Sequence, residues 1–363
     1  MSDLHTGPIL IYGAGAVGQF LGGTLALAGQ EVVLLARPAL RAALAARPLT
    51  IVTEVADSQG ASVRTVVVPA VERIGELSRP PALVILAVKG YDTAGALPDL
   101  ERLVAGGATI LTVQNGVGHE ETLRSALGVA AVRSGAFTIS VSTPGPGRVV
   151  RHTTKGGLGF APLAGEDMAP LLDRFRPTGL PIVAARSYRV LKWSKLLLNM
   201  LGNAQAALLD LPPAALYADP ALFAIERRAF VEARAVMRAA GIGLVDLPAY
   251  QTRALAAAMA LPGPVARRLL ARRVGAGRGA KRPSLALDLR AGGGRSEVPW
   301  YNGAVVALGA ARDVPTPVNA ALTRLLLSAT ADSVVWARFR GQPARLLADV
   351  AREESARPLA DRD

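Results

Sequence analysis

Three polar side chains mark the place where this sequence could do chemistry. Lys195, Asn199 and Asn203 stand at i, i+4 and i+8 in the stretch Lys192-Trp193-Ser194-Lys195-Leu196-Leu197-Leu198-Asn199-Met200-Leu201-Gly202-Asn203. At ~100° per residue such positions drift only ~40° per step, so one helix would carry all three on one face. The residues between them are mostly leucine and methionine. A helix that apolar around its girth is expected to be buried. Its polar stripe must then face a partner or a pocket, because a buried charge without one is costly. A helix with a solvated polar side has the same spacing, so the rest of the chain has to decide between the two.

The elements ahead of this stretch supply a cradle for phosphate. Ile9-Leu10-Ile11-Tyr12 reads as a short apolar strand, followed at once by Gly13-Ala14-Gly15-Ala16-Val17-Gly18. An apolar helix then runs to about Ala28, Gly29 ends it, and Glu31 to Arg37 is a second strand. This is a βαβ context around GxGxxG. Gly13 allows the tight turn, Gly15 lets the backbone approach a pyrophosphate, and Gly18 permits close helix–strand packing. The amides at the helix start, around Ala16 and Val17, meet the anion together with the helix dipole. An NAD site places Asp or Glu at the end of the second strand to bond the ribose; this chain has Arg37, whose guanidinium suits a 2′-phosphate. NADP is therefore expected over NAD.

Further strand-like runs are Ser62 to Val68, Ala82 to Val88 and Ala108 to Val113. Ligands of a parallel sheet bind beyond the carboxyl ends of its strands, so Lys89 and Asn115, which follow two of these runs, fall at the predicted crevice. Ala131 to Val141 and Val149 to Phe160 read as strands joined by a turn at Thr143 to Gly147, and Pro181 to Arg186 as the last strand. From Tyr188 onward strand patterns fade. Helices are expected over Ala221 to Ala240, Leu247 to Leu261, Tyr301 to Ala311 and Val318 to about Ala329. Val274 to Arg282 is rich in Gly and Arg and reads as a loop, and the tail is expected to fray after about Ala351. The fold class is α/β, an N-terminal Rossmann-type doubly wound sheet followed by an all-α C-terminal domain. The expected boundaries are 1–187, 188–330 and 331–363, the last a helical extension and tail.

Composition narrows the function classes. At 363 residues and 51% hydrophobic, the chain can form two domains with a sizeable core. Cysteine is absent, which excludes disulfides and thiolate metal sites and fits a reducing, cytoplasmic compartment. His5, His119 and His152 lie far apart without ligand spacing, so no metal site is expected. The net charge of +13 comes from 36 arginines and 5 lysines spread over the whole chain, with only 4% aromatics. That distribution suits an anionic substrate and a phosphorylated cofactor better than nucleic acid. Pro8 to Gln30 is uncharged and apolar, but no Lys or Arg precedes it and glycines interrupt it, so neither a signal peptide nor a membrane span is expected.

Taken together, these motifs resemble the ketopantoate reductases (2-dehydropantoate 2-reductases) from about residue 7 to residue 328. The matching pieces are GAGAVG with Arg37, Val88-Lys89, Gln114-Asn115-Gly116, the KxxxNxxxN of Lys195 to Asn203, the SLxxD of Ser284 to Asp288, the SEVxxxNG of Ser296 to Gly303, and the PTPxN of Pro315 to Asn319. Each is short; their joint order and spacing make the match specific. The resemblance implies NADPH-dependent reduction of a 2-oxo acid, ketopantoate above all, to its 2-hydroxy acid in pantothenate and coenzyme A biosynthesis. It implies Lys195 as the general acid, Glu297 as a carboxylate close to it, and Asn199, Asn203 and Ser284 as holders of the substrate. Lys89 and Asn115 would lie near the nicotinamide, Asn115 also near the substrate. A carboxylate beside a desolvated lysine keeps it charged and able to donate.

The chain departs from the family pattern on the substrate side. Leu285 stands where Met is frequent, Pro299 where Asp is frequent, Lys281 near a family asparagine, and Pro212-Pro213 where another asparagine can lie. The reaction type is thus better fixed than the substrate, and Lys281 would favour a second anionic group. The rivals are a hydroxyacid or opine-type dehydrogenase with another substrate, and a non-catalytic NADP-binding regulator. A regulator has no need of the Lys195 stripe together with Glu297. The apolar helices of the second half leave a homodimer open.

Overall fold

The strand expected at Val149 to Phe160 is two strands that belong to different sheets, and that division shapes the first half of the molecule. In the computed structural model, which describes residue 4 and residues 6–54, 61–278 and 283–355, the chain forms two units. The first comprises residues 1–192 and 245–250, the second residues 193–244 and 251–363. His5 and Lys281 lie outside the described residues.

The strands are β1 (Ile9–Tyr12), β2 (Val32–Leu35), β3 (Leu49–Thr53), β4 (Ser62–Val66), β5 (Ala70–Val71), β6 (Leu83–Leu86), β7 (Thr109–Thr112), β8 (Val132–Phe137), β9 (Val141–Gly145), β10 (Arg148–Arg151), β11 (Leu158–Pro162) and β12 (Ile182–Ala184). The larger sheet has the order β12-β11-β8-β7-β6-β1-β2-β5. It is parallel from β5 to β8; β11 then runs antiparallel to β8 and parallel to β12. β6 is buried at every position, as a central strand covered on both faces must be. The strand order reverses at β1, which places the Gly-rich turn at a topological switch point.

A second sheet, β4-β3-β10-β9, takes up the strand expected at Ser62 and the first part of that expected at Val149. β3 carries no period-2 contrast strong enough to stand out in the sequence. The turn expected at Thr143 to Gly147 is instead mostly β9, with the reversal at Pro146-Gly147, where Gly147 has φ +73°. The chain leaves this sheet after β10 and enters the larger one at β11. Gly156, with φ +96°, and Gly157, where a Cβ would lie 2.0 Å from the Pro181 carbonyl oxygen, permit the crossing.

The helix Ala16–Leu27 lies between the two sheets, which explains glycines in a helix interior where each costs ~1 kcal/mol against alanine. A Cβ on Gly22 would come within 2.6 Å of Leu34 on β2, and one on Gly23 within 2.8 Å of Leu49 and Ile51 on β3. The two glycines thus face opposite sheets. Phe20, Leu21 and Leu25 of the same helix join Ile9, Ile11, Leu34, Ile51 and Val149 in one buried core.

The second unit is helical. Its long helix, Pro220–Ala239, is capped by Asp219, whose carboxylate accepts from the amides of Ala221 and Leu222 at 2.8 and 3.1 Å. Three sequence-based expectations give way in this half of the chain. The stretch read as a loop from Val274 is helical to Arg278, the end of the helix Gly263–Arg278, and residues 279–282 lie outside the described residues. The tail is helical over Pro343–Ser355 rather than frayed after Ala351. Leu346 and Val350 are fully buried, and Arg324–Glu353 and Arg228–Glu354 ion pairs hold its last turns. The helix expected from Leu247 begins at Thr252, because residues 245–250 belong to the first unit. Among the described residues no helix is long and apolar enough to cross a membrane.

The Gly-rich turn makes a stability contrast. A Cβ on Gly18 would stand 2.1 Å from the Gly13 carbonyl oxygen, a backbone atom that cannot move aside, whereas a Cβ on Gly15 meets nothing within 4 Å. Gly18→Ala is expected to lose about 2–3 kcal/mol of unfolding free energy and Gly15→Ala no more than about 0.5 kcal/mol. Urea unfolding midpoints check this; equal midpoints would show that the turn is loosely packed.

Candidate active site

In the first unit the Gly-rich turn has the form that a dinucleotide requires. Gly13 adopts φ +104°, with its Cα so close to Val88 that a Cβ would lie 2.7 Å from the Val88 amide nitrogen. Gly15 is exposed, and its open side leaves room for an anion over the start of the helix Ala16–Leu27. The Gln19 side-chain amide donates to the Ala14 carbonyl oxygen at 2.9 Å and fixes the turn from within. Arg37 is exposed just past β2 and forms the N-cap of the helix Pro38–Ala46, so it follows the strand end directly.

Lys89 and Asn115, each half-buried, follow the ends of β6 and β7, and Gln114 holds these two ends together. Its side-chain nitrogen donates to the Val88 carbonyl oxygen at 3.2 Å and to Thr93 Oγ1 at 2.8 Å, while its Oε1 accepts from Thr112 at 3.1 Å. His119 Nε2 lies 3.0 Å from the Asn115 carbonyl oxygen, so Nε2 carries the proton. Burial and the nearby Lys192 charge push this imidazole down to about 3. Lys192, at 2% exposure, donates to the Gln114 carbonyl oxygen and pairs with Glu120 at 3.1 Å. Glu120 accepts in turn from Ser134 at 2.7 Å. This buried ionic network escaped sequence reasoning. Its only signal was a lysine three residues before Lys195 in an otherwise apolar run.

The helix Tyr188–Met200 carries the polar stretch, whose residues from Trp193 on belong to the second unit. From Leu191 to Asn203 every residue is buried except Lys195 and Asn199, which are half-exposed. Lys195 Nζ donates to Asn199 Oδ1 at 2.9 Å. The expected three-residue stripe is corrected at its far end, because the helix stops at Met200 and Asn203 is not on it. Gly202, at φ +56°, turns the chain; a Cβ there would lie 2.8 Å from Pro213 Cβ, and its amide donates to the buried Glu226 carboxylate. Asn203 nonetheless returns to the stripe through its side chain. Nδ2 donates to the Asn199 carbonyl oxygen at 2.9 Å and to Ser284 Oγ at 3.3 Å, and Oδ1 accepts the Leu285 amide at 3.2 Å. Ser284 opens the helix Ser284–Ala291. Tyr301 is wholly buried, and burial followed by the nearby Glu297 charge raises its phenol well above the ordinary value near 10. Glu297 itself is buried at 3% exposure.

Comparison with known proteins gives these two units a common identity. A family described as "Ketopantoate reductase PanE/ApbA" matches residues 9–165, and its C-terminal counterpart matches residues 188–329. The 2-dehydropantoate 2-reductase of Halobacterium salinarum is 30% identical over 331 residues, covering 89% of this chain and 99% of the relative. The chain belongs to the ketopantoate reductase family. The 2-dehydropantoate 2-reductase of Caulobacter vibrioides is 29% identical over 88% of this chain and 98% of its own. Among solved structures, a PanE/ApbA family ketopantoate reductase from Ralstonia eutropha JMP134 matches with a TM-score of 0.73 at 31% identity, over 92% of this chain and 99% of that one. D-mandelate dehydrogenase in complex with NADH and anilino(oxo)acetate shares the fold, with a TM-score of 0.72 at 22% identity over 90% and 99%.

As a ketopantoate reductase family oxidoreductase, the chain uses some of its motif residues for packing. Asn302 Nδ2 donates to Asn319 Oδ1 at 2.9 Å, and Asn319 Nδ2 donates to Glu232 at 2.6 Å and to the Ala229 carbonyl oxygen at 3.0 Å. Glu232 also accepts the amides of Val318 and Asn319 at 2.9 and 3.0 Å. The second halves of the SEVxxxNG and PTPxN motifs thus build one buried polar knot. Of the departures from the family pattern, Leu285 is fully buried and Pro299 is exposed, while Pro213 packs on Gly202.

The depressed His119 links the strand-end network to pH. Its folded value lies below the ordinary 6.5, so as pH falls the unfolded chain takes the proton first. Its contribution to stability is complete above ~6.5 and is lost as pH falls towards ~3. Between pH 8 and pH 5 the loss is expected to be about 2 kcal/mol, and His119→Gln should flatten that slope. Urea titrations at the two pH values test this; an equal slope in the variant would remove His119 as its source.

Proposed function

We propose that this chain reduces a 2-oxo acid to its 2-hydroxy acid with NADPH, ketopantoate to pantoate being the first reaction to test. The observation that carries the reading is the pair Lys195 and Asn199, the only half-exposed polar groups in a stretch otherwise wholly buried. Residues of that kind sit at an exposed edge of a rigid helix, where a ligand can reach them and where their rotamers are held from below. The names of the relatives support the substrate; the altered residues around Ser284 leave another 2-oxo acid as the second reading.

The first unit is suited to hold the cofactor. The Gly13–Gly18 turn would receive the pyrophosphate, since Gly15 leaves its approach open and the amides of Ala16 and Val17 begin the helix. Arg37 at the end of β2 would pair with a 2′-phosphate, and Lys89 and Asn115 would lie towards the nicotinamide. Bound there, NADPH supplies a hydride equivalent to the carbonyl carbon of the oxo acid.

The second unit supplies the proton and the grip on the substrate. Lys195 would give a proton from its ammonium to the carbonyl oxygen, which becomes the new hydroxyl, and would regain one from solvent. Asn199 Oδ1 orients that ammonium by accepting one of its three hydrogens. Asn203 and Ser284 would hold the polar groups of the acid, and buried Glu297 would keep the lysine in its charged form. Positioned proton donation of this kind is worth roughly 10²–10⁴ in rate.

Following NADPH oxidation with ketopantoate and a panel of other 2-oxo acids tests the reading. Lys195→Ala is expected to lower kcat by roughly 10²–10⁴ and to leave the Kd for NADPH unchanged. Tight NADPH binding without turnover of any oxo acid would favour the regulator reading. Arg37→Ala is expected to weaken NADPH by about 10- to 100-fold, the worth of a charge-assisted contact, and to leave NADH unaffected. Equal weakening of both nucleotides, measured by fluorescence titration, would take Arg37 out of the 2′-phosphate site.

A further inference from the structure

Asn115 lies beyond the reach of the sheet that carries it. The β7 ladders to β6 and to β8 both end at Thr112, and the Val113 amide adds a bond to the Leu86 carbonyl oxygen at 3.0 Å. Asn115 comes after that bond, just ahead of Gly116 at φ +90° and Gly118 at φ +102°. Glycines in that conformation let the chain turn sharply but do little to hold the residue before them. Asn115 therefore has to be fixed by groups outside its own strand.

Two buried side chains do this through successive carbonyl groups. Lys192 donates to the Gln114 carbonyl oxygen, and His119 Nε2 donates to the Asn115 carbonyl oxygen at 3.0 Å. The first oxygen belongs to the peptide plane before the Asn115 Cα, the second to the plane after it. A peptide is rigid and planar, so holding both oxygens sets φ and ψ of Asn115 together. The direction of its Cα–Cβ bond follows. Lys192 has three hydrogens to give. Besides Gln114 they meet Glu120 Oε1 at 3.1 Å and the Gly135 carbonyl oxygen at 3.5 Å. Glu120 is itself held by Ser134 at 2.7 Å. Lys192, Glu120 and His119 are 1–2% exposed, so they act on a ligand only through what they hold.

We propose that Lys192 and His119 are positioning residues that fix the backbone of Asn115 and so aim its side-chain amide at the nicotinamide end of a bound dinucleotide. This inference rests on the cofactor half of the reading above. Asn115 is half-buried past the carboxyl end of β7, where the ligand of a parallel sheet lies. Its amide offers both donors and an acceptor, which the carboxamide of a nicotinamide can match. An amide already held in direction keeps more of that gain than one that must be ordered on binding.

The test is a set of fluorescence titrations with two nucleotides, NADPH and 2′-phosphoadenosine diphosphoribose, which lacks the nicotinamide. Lys192→Met with Glu120→Gln removes both buried charges together and so spares the fold a charge without its partner. This paired variant is expected to raise the Kd for NADPH about fivefold and to change that for the truncated nucleotide by less than about twofold. A variant that merely loosened the unit would weaken both. Asn115→Ala should show the same selective loss, and adding the paired substitutions to it should cost less than about a further twofold. His119→Ala should also weaken NADPH selectively, whereas His119→Gln places an amide donor near the Nε2 position and should stay within about twofold of wild type. Equal weakening of both nucleotides, no change with NADPH, multiplicative losses in the Asn115→Ala background, or failure of His119→Gln to rescue would each overturn the proposal. Should the paired variant not fold, the two His119 variants decide alone. A wild type that binds neither nucleotide would overturn the cofactor reading and this inference with it. A wild type that binds NADPH but turns over no oxo acid would overturn the activity reading alone, and the titrations would still decide the role of Lys192 and His119.

Discussion

The polar chain that runs from Lys195 to Ser284 depends on one amide, that of Asn203. Its oxygen takes a backbone hydrogen from the helix Ser284–Ala291, and its nitrogen joins Asn199 to Ser284. All of this is possible only because the helix Tyr188–Met200 ends before it. Had the helix continued, Asn203 would have met Asn199 as a neighbour on a surface, not as the hinge of a buried network. The stop is enforced by Gly202, which takes a left-handed conformation against Pro213 and gives its amide to Glu226. A residue with a Cβ would be strained there twice, by its φ and by the proline. The Asn203 side chain is thus positioned by the residue before it.

The first unit obeys a similar constraint of close approach. The helix Ala16–Leu27 is packed on both sides, against β2 through Gly22 and against β3 through Gly23. A helix sandwiched in this way cannot shift to accommodate a ligand, so the turn at its start is preorganised. Preorganisation lowers the ordering that binding must otherwise impose. The far ends of β6 and β7 are held just as firmly, by Gln114 across the strands and by Lys192 and Glu120 beneath them. A buried pair of this kind contributes little net stability once its desolvation is counted, but losing one partner costs about 3–5 kcal/mol. It specifies where Asn115 lies more than it stabilises the fold.

Electrostatics in the second unit are arranged by burial rather than by a surplus of charge. The chain carries a net charge of +13, yet Lys195 is its only lysine on the polar stripe, and it is set by an uncharged amide. Glu232, Asn302 and Asn319 absorb motif residues into packing. Polar residues in the family motifs are therefore of two kinds here, one group half-exposed on the stripe and another closing hydrogen bonds that the core would otherwise leave open.

The sequence by itself determined the α/β class, the Gly13–Gly18 turn and the helical second half. Those depend on local rules: the period of apolar residues, glycine where the backbone approaches itself, and proline or glycine at helix ends. It also singled out a lysine and two asparagines, because such residues in an apolar run have to be matched by something. Only the tertiary structure decided how they are matched. The small sheet pairs β3 with β10, nearly a hundred residues apart, and such a pairing leaves no local mark. The assignment of residues 245–250 to the first unit, the burial of Lys192 against Glu120, and the bond of Asn203 to Ser284 are equally non-local. A hydrogen bond is fixed by where two atoms meet in space, and chain spacing specifies that only within a helix, a strand or a turn.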